Sequence, residues 1–385
     1  MKITRRFVAF LIALAAPLLF SSAQTSEKAA AQSQYLAYVG TYTAKTTSKG
    51  IYAFRFDTGT GKLTALGVAA ETPDPSWVVV DPSGKYAYAV NETGQASTVS
   101  AFTVDRKSAK LTLLDQMPAL GEDPCYLSFD KTGKYLLVAN YSSGTVAVFP
   151  ILADGRLGEH TALVKDQGAS GPNKERQEAP HAHWIAAPGF VYVADLGLDR
   201  VLEYRFDAGT GTLAPGPLSL VLSPGTGPRH VAFDRHHSYW YVLGELQSTV
   251  TVFAPKAHRG FAQVQQISTL PQGFAGRNDA AEIAIHPNGK FLYTSNRGHD
   301  SIAIFAIDPG KGTLTLVALV PTGGKEPRHF AIDPSGKYLL AENQYSNNIV
   351  VFEIAPASGL IRQTGQTFDV PSPVDLTFVP ALVAR

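Results

Sequence analysis

The sequence predicts an all-β fold: a seven-bladed β-propeller with four antiparallel strands per blade, its ring closed by strands from the N- and C-terminal ends of the chain. Three observations predict it. First, one phrase recurs, as DPSGKYAYAVN at 81–91, DKTGKYLLVAN at 130–140, HPNGKFLYTSN at 286–296 and DPSGKYLLAEN at 333–343, with looser copies at 187–195 and 234–244. Second, each copy sits in a unit of roughly 50 residues holding four short strand-like segments, which is the size of a propeller blade. Third, the two ends of the repeat region carry complementary fragments of that unit.

The segments are readable in the unit that follows Arg328. Segment A, residues 329–333, is apolar and runs into a PSGK turn. Segment B spans 338–341. Segment C, 348–354, is rich in β-branched and aromatic residues. An APASG turn at 355–359 leads to segment D, 360–370, and the same C–D turn recurs as DTGTG at 57–61, DAGTG at 207–211 and DPGKG at 308–312. No helical apolar period is sustained anywhere in these units. At one end of the repeat region, YLAYVGTY (35–42) matches segment B with no A before it; at the other, DLTFVP (375–380) matches segment A with no B after it. Joining the two completes the seventh blade and closes the ring, whereas an open ring would leave sheet edges unpaired.

The first residues read as an address. Lys2, Arg5 and Arg6 precede an apolar stretch at 7–20, and small residues follow at Ser21, Ser22 and Ala23. This is the pattern of a secretory signal peptide, cleaved near Ala23, and it predicts a periplasmic or secreted protein. The apolar stretch, which contains Pro17, is shorter than the roughly 20 residues a membrane span needs, so no stable membrane insertion is expected after cleavage. The domain plan is therefore a signal peptide at 1–23, a flexible Ala/Gln/Ser-rich leader at 24–34 and a single propeller domain at 35–385.

Charge and cysteine content narrow the function classes. The full chain carries 33 Lys+Arg against 32 Asp+Glu, a net of +1; loss of Lys2, Arg5 and Arg6 turns this to −2. With no basic stripe, nucleic acid is not an expected partner. A single cysteine, Cys125, excludes an internal disulfide framework and a CxxC metal site. No GxSxG elbow, P-loop or HExxH motif is present. The alternating His181 and His183 lack a supporting carboxylate cluster, so neither a metal nor another cofactor is expected.

Blade topology locates a site. In an up-and-down blade the start of A and the end of B share one face, so these residues from all seven blades converge on one mouth of the central channel. The entries to A read PSW (75–77), PCY (124–126), HAH (181–183), PRH (228–230), AAE (280–282), PRH (327–329) and PVD (373–375). The exits from B read NE (91–92), NY (140–141), DL (195–196), GE (244–245), NR (296–297), NQ (343–344) and TY (41–42). The Asn or Asp at the first exit position is expected to cap its own turn. The charged residues that vary between blades are not turn chemistry: His181, His183, Arg229, His230, Glu245, Arg297, Arg328 and His329. Gathering Arg229, Arg297 and Arg328 costs Coulomb repulsion that a bound anion or developing oxyanion would offset. Glu245 is suited to orient water or take a proton, and His181 to act as acid or base near neutral pH. The repeated Arg-His pair has a structural reading too, as a tie between neighbouring strands. Cys125, on the same rim, reads as a small buried thiol or a nucleophile.

Taken together, HPNGKFLYxSNR (286–297), PHAH (180–183), GPRH (227–230), ADLGxDR (194–200) and PRHFxIDP (327–334) resemble the seven-bladed 6-phosphogluconolactonase/carboxymuconate cyclase family, over residues 35–380. The resemblance implies opening of a lactone ring, or the related lactone-forming cycloisomerisation, without a required metal. It implies catalytic roles for His181, Arg229, Glu245 and Arg297, with His183, His230, Asn296, Arg328 and His329 holding the rest of a small-molecule lactone. Well-known phosphogluconolactonase members work in the cytosol, whereas this chain has an export signal; the expected substrate is therefore an unphosphorylated sugar lactone or a carboxylated one. The competing expectation is a non-catalytic exported propeller whose rim binds a carbohydrate or protein partner.

Overall fold

Asp81, Asp130 and Asp333 show why the repeated phrase folds as it does. The Asp333 carboxylate accepts the backbone N–H groups of Ser335 and Tyr338 at 2.9 and 2.7 Å, and Asp130 and Asp81 do the same for their own turns. Each such aspartate closes the A–B turn, so it belongs to the turn and not to the strand. Strand A of that blade is consequently Pro327–Ile332, starting two residues before the predicted segment and ending one before it.

The computed structural model describes residues 33–236, 238–256 and 260–381. The predicted signal peptide and most of the leader lie outside the described residues; Gln34, the last residue assigned to the leader, is already in a strand and donates from Nε2 to Asp57 at 2.5 Å. The described residues form seven four-stranded antiparallel sheets, as the repeat predicts, and their one helical element is a 3₁₀ turn at Gly94–Ala96. The closing blade pairs Pro373–Pro380 with Gln34–Thr41, from Tyr35 opposite Pro380 to Thr41 opposite Pro373.

Burial follows position in the blade. The B strands are covered by neighbouring blades on both faces: all of Tyr135–Asn140 and all of Phe291–Arg297 are buried. The outer D strands alternate, as in Lys62–Glu71 and Ile361–Asp369. Apolar clusters bridge adjacent blades; one joins Val39, Phe54 and Phe56 of the closing blade to Tyr338, Leu340 and Val351 of the last. The ring is thus held by blade-on-blade packing as well as by the closing pairs.

The buried asparagines at the exits of B do not cap their own turns. Asn140, Asn296 and Asn343 each donate from Nδ2 to a carbonyl in the connector that enters their own blade, at Ala119, Thr269 and Thr322. All three are fully buried, so their amides must find partners inside the protein, and that connector lies alongside.

Candidate functional site

The chemistry-bearing residues reach the channel mouth through a repeated irregularity. Where strand A starts, the A–B register skips one residue in five blades: between Pro124 and Tyr126, Ala182 and Trp184, Pro228 and His230, Pro327 and His329, and Pro373 and Asp375. The skipped residues are Cys125, His183, Arg229, Arg328 and, in the closing blade, the apolar Val374. A bulged residue has no cross-strand partner, and bulges re-aim side chains beside functional sites.

The same register corrects the alignment made from sequence. Ala182, not His181, occupies the place of Pro228 and Pro327, so His183 is the equivalent of Arg229 and Arg328, and Trp184 that of His230 and His329. His181 therefore stands one residue outside the strand.

A cavity of about 240 Å³ opens at this mouth, lined by Glu92, Cys125, Tyr141, Arg176, His183, Glu245, Arg297 and Arg328. Glu245 is its electrostatic centre. Its Oε1 lies 2.5 Å from Arg176 Nη2, and its Oε2 lies 3.1 Å from both Arg229 Nε and Arg297 Nη2. Burial alone would raise the Glu245 carboxyl, but Arg297, Arg229 and their neighbours more than offset it and hold the group well below the usual carboxylate range. Burial, and then the charges of Arg297 and Arg328, push Arg229 down to about 10, still cationic at neutral pH.

The two 3.1 Å contacts are close in distance but poorly aligned. Neither Arg229 Nε nor Arg297 Nη2 completes a hydrogen bond, and both atoms are buried. They are ion pairs whose N–H donors remain unspent. Arg297 donates from Nε to the Asp279 carbonyl at 3.3 Å, which orients its guanidinium. Arg229 is anchored by donation from Nη1 to the Ala281 carbonyl and sits behind Glu245, not on the cavity wall.

Arg328 and Glu92 also line the cavity, and Tyr42 stands beside both. The Arg328 guanidinium lies 5.3 Å from the centre of the Tyr42 ring, and Tyr42 donates to Glu92 Oε2 at 2.8 Å. Burial lowers His183 well below the ordinary imidazole range, and Arg229 adds to the effect, so the ring is neutral at pH 7. Burial likewise pushes the Cys125 thiol up, with Glu92 assisting, which disfavours the thiolate form.

Three of the residues singled out from the sequence serve other contacts. His181 stacks on Tyr141 at 4.6 Å, with Nδ1 3.0 Å from the Tyr141 carbonyl and Nε2 3.1 Å from Glu178. His230 and His329 lie on the channel wall against carboxyl groups, His230 Nδ1 2.9 Å from Glu282 and His329 Nδ1 2.8 Å from Glu342. Burial lowers both imidazoles, His329 to about 4, and burial raises Glu282 and Glu342. On this wall burial favours the uncharged form of both partners in each carboxyl–imidazole pair. Asn296 also faces away from the cavity, its amide spent on Thr269.

Sequence reasoning missed Arg176, Tyr141 and Glu92 as site residues. Tyr141 and Glu92 are second residues of the B exits, where only charged departures in other blades were picked out. Arg176 comes from the connector between Lys165 and Ala182, the longest between successive blades, and its extra length was the available signal. Gln177 pins that connector, donating from Nε2 to the Leu196 carbonyl at 2.8 Å and to Asp199 at 2.9 Å.

Known proteins share both sequence and architecture. The family model described as lactonase, 7-bladed β-propeller, matches residues 36–378. A protein of Bacillus subtilis named 6-phosphogluconolactonase is 36% identical over 301 residues, covering 77% of this chain and 84% of its own. The crystal structure of a putative 6-phosphogluconolactonase from Bacteroides fragilis superposes with a TM-score of 0.84 at 36% identity, covering 90% of this chain and 98% of that one. The structure of a Pseudomonas aeruginosa periplasmic gluconolactonase does so with a TM-score of 0.84 at 34% identity, covering 91% and 100%.

Proposed function

Since the chain belongs to the lactonase family of seven-bladed β-propellers, we propose that it hydrolyses an unphosphorylated sugar lactone in the cavity around Glu245. The observation that carries the reading is the Arg297 guanidinium lining the cavity, oriented by its Nε bond to the Asp279 carbonyl and by Glu245 3.1 Å from Nη2. Attack on a lactone carbonyl places negative charge on its oxygen, and an oriented, desolvated guanidinium stabilises that charge more than it stabilises the ground state.

Glu245 keeps its charge, its two oxygens taken up by three guanidinium groups. Its part is to hold Arg176, Arg229 and Arg297 together and to orient water. The acid–base work falls to His183, which lines the cavity as a neutral imidazole, in preference to His181, which stands behind Tyr141. His183 takes a proton from the attacking water as the new C–O bond forms. The tetrahedral intermediate collapses by breaking the ring C–O bond, and the same proton returns to the leaving alkoxide, giving the open-chain acid. Arg328 and Arg176 hold the remainder of the substrate.

The predicted export signal supports a substrate without phosphate and a periplasmic or secreted site of action, as does likeness to a structure titled periplasmic gluconolactonase. The test is pH-stat hydrolysis of gluconolactone and of 6-phosphogluconolactone, with spontaneous opening subtracted. The unphosphorylated lactone is expected to be the better substrate, and Arg297→Ala to lower kcat/KM by roughly 10²–10³. Unchanged turnover in Arg297→Ala and His183→Ala would refute the assigned roles.

A further inference from the structure

Next to the cavity lies a larger groove of about 520 Å³ on the same face of the ring. Residues from three consecutive blades build it: Tyr42 from the closing blade, Asp74 and Glu92 from the next, and Gln344, Tyr345 and Asn347 from the last. Glu92 lines both spaces, so the two meet there. The boundary is the Tyr42–Glu92 hydrogen bond with Arg328 over the Tyr42 ring.

The two spaces differ in chemistry. The cavity is lined by three arginines against two glutamates. The groove has two carboxylates, an amide at each of Gln344 and Asn347, and no Lys, Arg or His among its lining residues. An anionic group such as a phosphate would be repelled from it, whereas a ligand rich in hydroxyl donors would be received. Tyr345 adds a flat apolar face: its side chain is 69% exposed, yet its backbone is held by donation to the Lys325 carbonyl at 3.1 Å, with the Gln344 N–H bonded to the Glu326 carbonyl at 2.9 Å. An exposed aromatic ring on a fixed backbone beside carboxylates and amides suits a pyranose, whose C–H face is apolar and whose rim is polar.

We propose that this groove is a sugar subsite contiguous with the reaction cavity, so that the preferred substrate is the lactone of an aldonic acid bearing a further uncharged glycosyl unit. The inference rests on the lactonase reading for the cavity but not for the groove, and the test separates the two. Hydrolysis of gluconolactone is compared with that of the lactone of a disaccharide aldonic acid, in the mature protein and in Tyr345→Ala. The disaccharide lactone is expected to have a kcat/KM at least fivefold higher, and Tyr345→Ala to collapse that ratio toward one. Calorimetry with the open-chain disaccharide acid is run in parallel, with a fivefold or greater weakening expected in Tyr345→Ala. A ratio near one in the starting protein, or a ratio and an affinity that Tyr345→Ala leaves alone, overturns the subsite. If neither lactone is hydrolysed while the disaccharide acid still binds through Tyr345, the hydrolytic reading fails and the subsite stands.

Discussion

Replacing Glu245 by glutamine keeps the shape of the side chain and removes its charge. The carboxylate touches Arg229 and Arg297 at 3.1 Å, with those side chains only 4% and 8% exposed, and Arg176 at 2.5 Å with 35% exposure. Removing one partner of a buried ion pair costs about 3–5 kcal/mol, because the other charge stays buried without compensation. The Arg176 share is discounted for solvent screening, so the two buried arginines set the magnitude. At about 2 °C per kcal/mol for a large domain, Glu245→Gln is expected to lower Tm by roughly 6–10 °C. The uncompensated guanidinium groups then form an anion site: gluconate or phosphate at 100 times its Kd restores about 2.7 kcal/mol by mass action, and the upward shift of Tm is larger in the variant than in the parent. The pH dependence has a definite sign. The fold holds the Glu245 carboxyl below its ordinary value, so its stabilisation is complete above the unfolded value of about 4.3 and is lost as pH falls toward the folded one. The gap in Tm between parent and variant therefore narrows below about pH 4. Differential scanning fluorimetry across pH and anion concentration checks all three. A fall of less than 2 °C with no added anion sensitivity would refute the charge-centre reasoning.

Two further outcomes follow from the fold. Asp166 and Asp195 are buried, with Tyr204 donating to Asp166 Oδ1 at 2.5 Å and the His181 and Leu198 N–H groups bonded to Asp195 Oδ1 at 2.9 Å. Burial, and then Asp195, raise Asp166 well above the usual range, so the stability it contributes is full below about pH 3.9 and is lost as pH rises through the folded value; Asp166→Asn is expected to flatten the fall of Tm as pH rises above about 4, and parallel curves would count against a proton held by the pair. Deleting the chain from Pro373 onward removes the strand that pairs with Gln34–Thr41, along with Leu376 and Val379 from two apolar clusters. Loss of cooperative melting is expected, and a variant that melts cooperatively near the parent temperature would show that ring closure is dispensable.

The channel-mouth rim was legible because it follows from blade topology alone: once A and B are recognised, their ends must converge. Less legible was what each rim residue does there. PHAH at 180–183 looks like the entry triplets of other blades one residue too early, because its proline precedes a histidine that stays outside the strand. Only the pairing of Ala182 with Asp195 and of Trp184 with Ala194 shows that His183 is the bulged residue. The Arg-His pair of two blades likewise splits by neighbouring position. Arg328 faces the cavity, while His329 turns to Glu342 on the channel wall.

Sequence alone determined the blade count, the turns and the closure of the ring, because these depend on neighbours within a few residues and on a period that repeats. The turn aspartates Asp81, Asp130, Asp234 and Asp333 each bind N–H groups two and five residues ahead. Only the tertiary structure decided which charges meet. Glu245 is 69 residues from Arg176 and belongs to a different blade from Arg297, so no local pattern encodes their contact. Their charge states were decided there as well. Burial at the axis makes the His183 imidazole neutral, and the gathered guanidinium groups keep Glu245 charged despite its burial. A carboxylate and three arginines read singly are ordinary surface residues; desolvated together by seven packed blades, they become a centre of unspent donors.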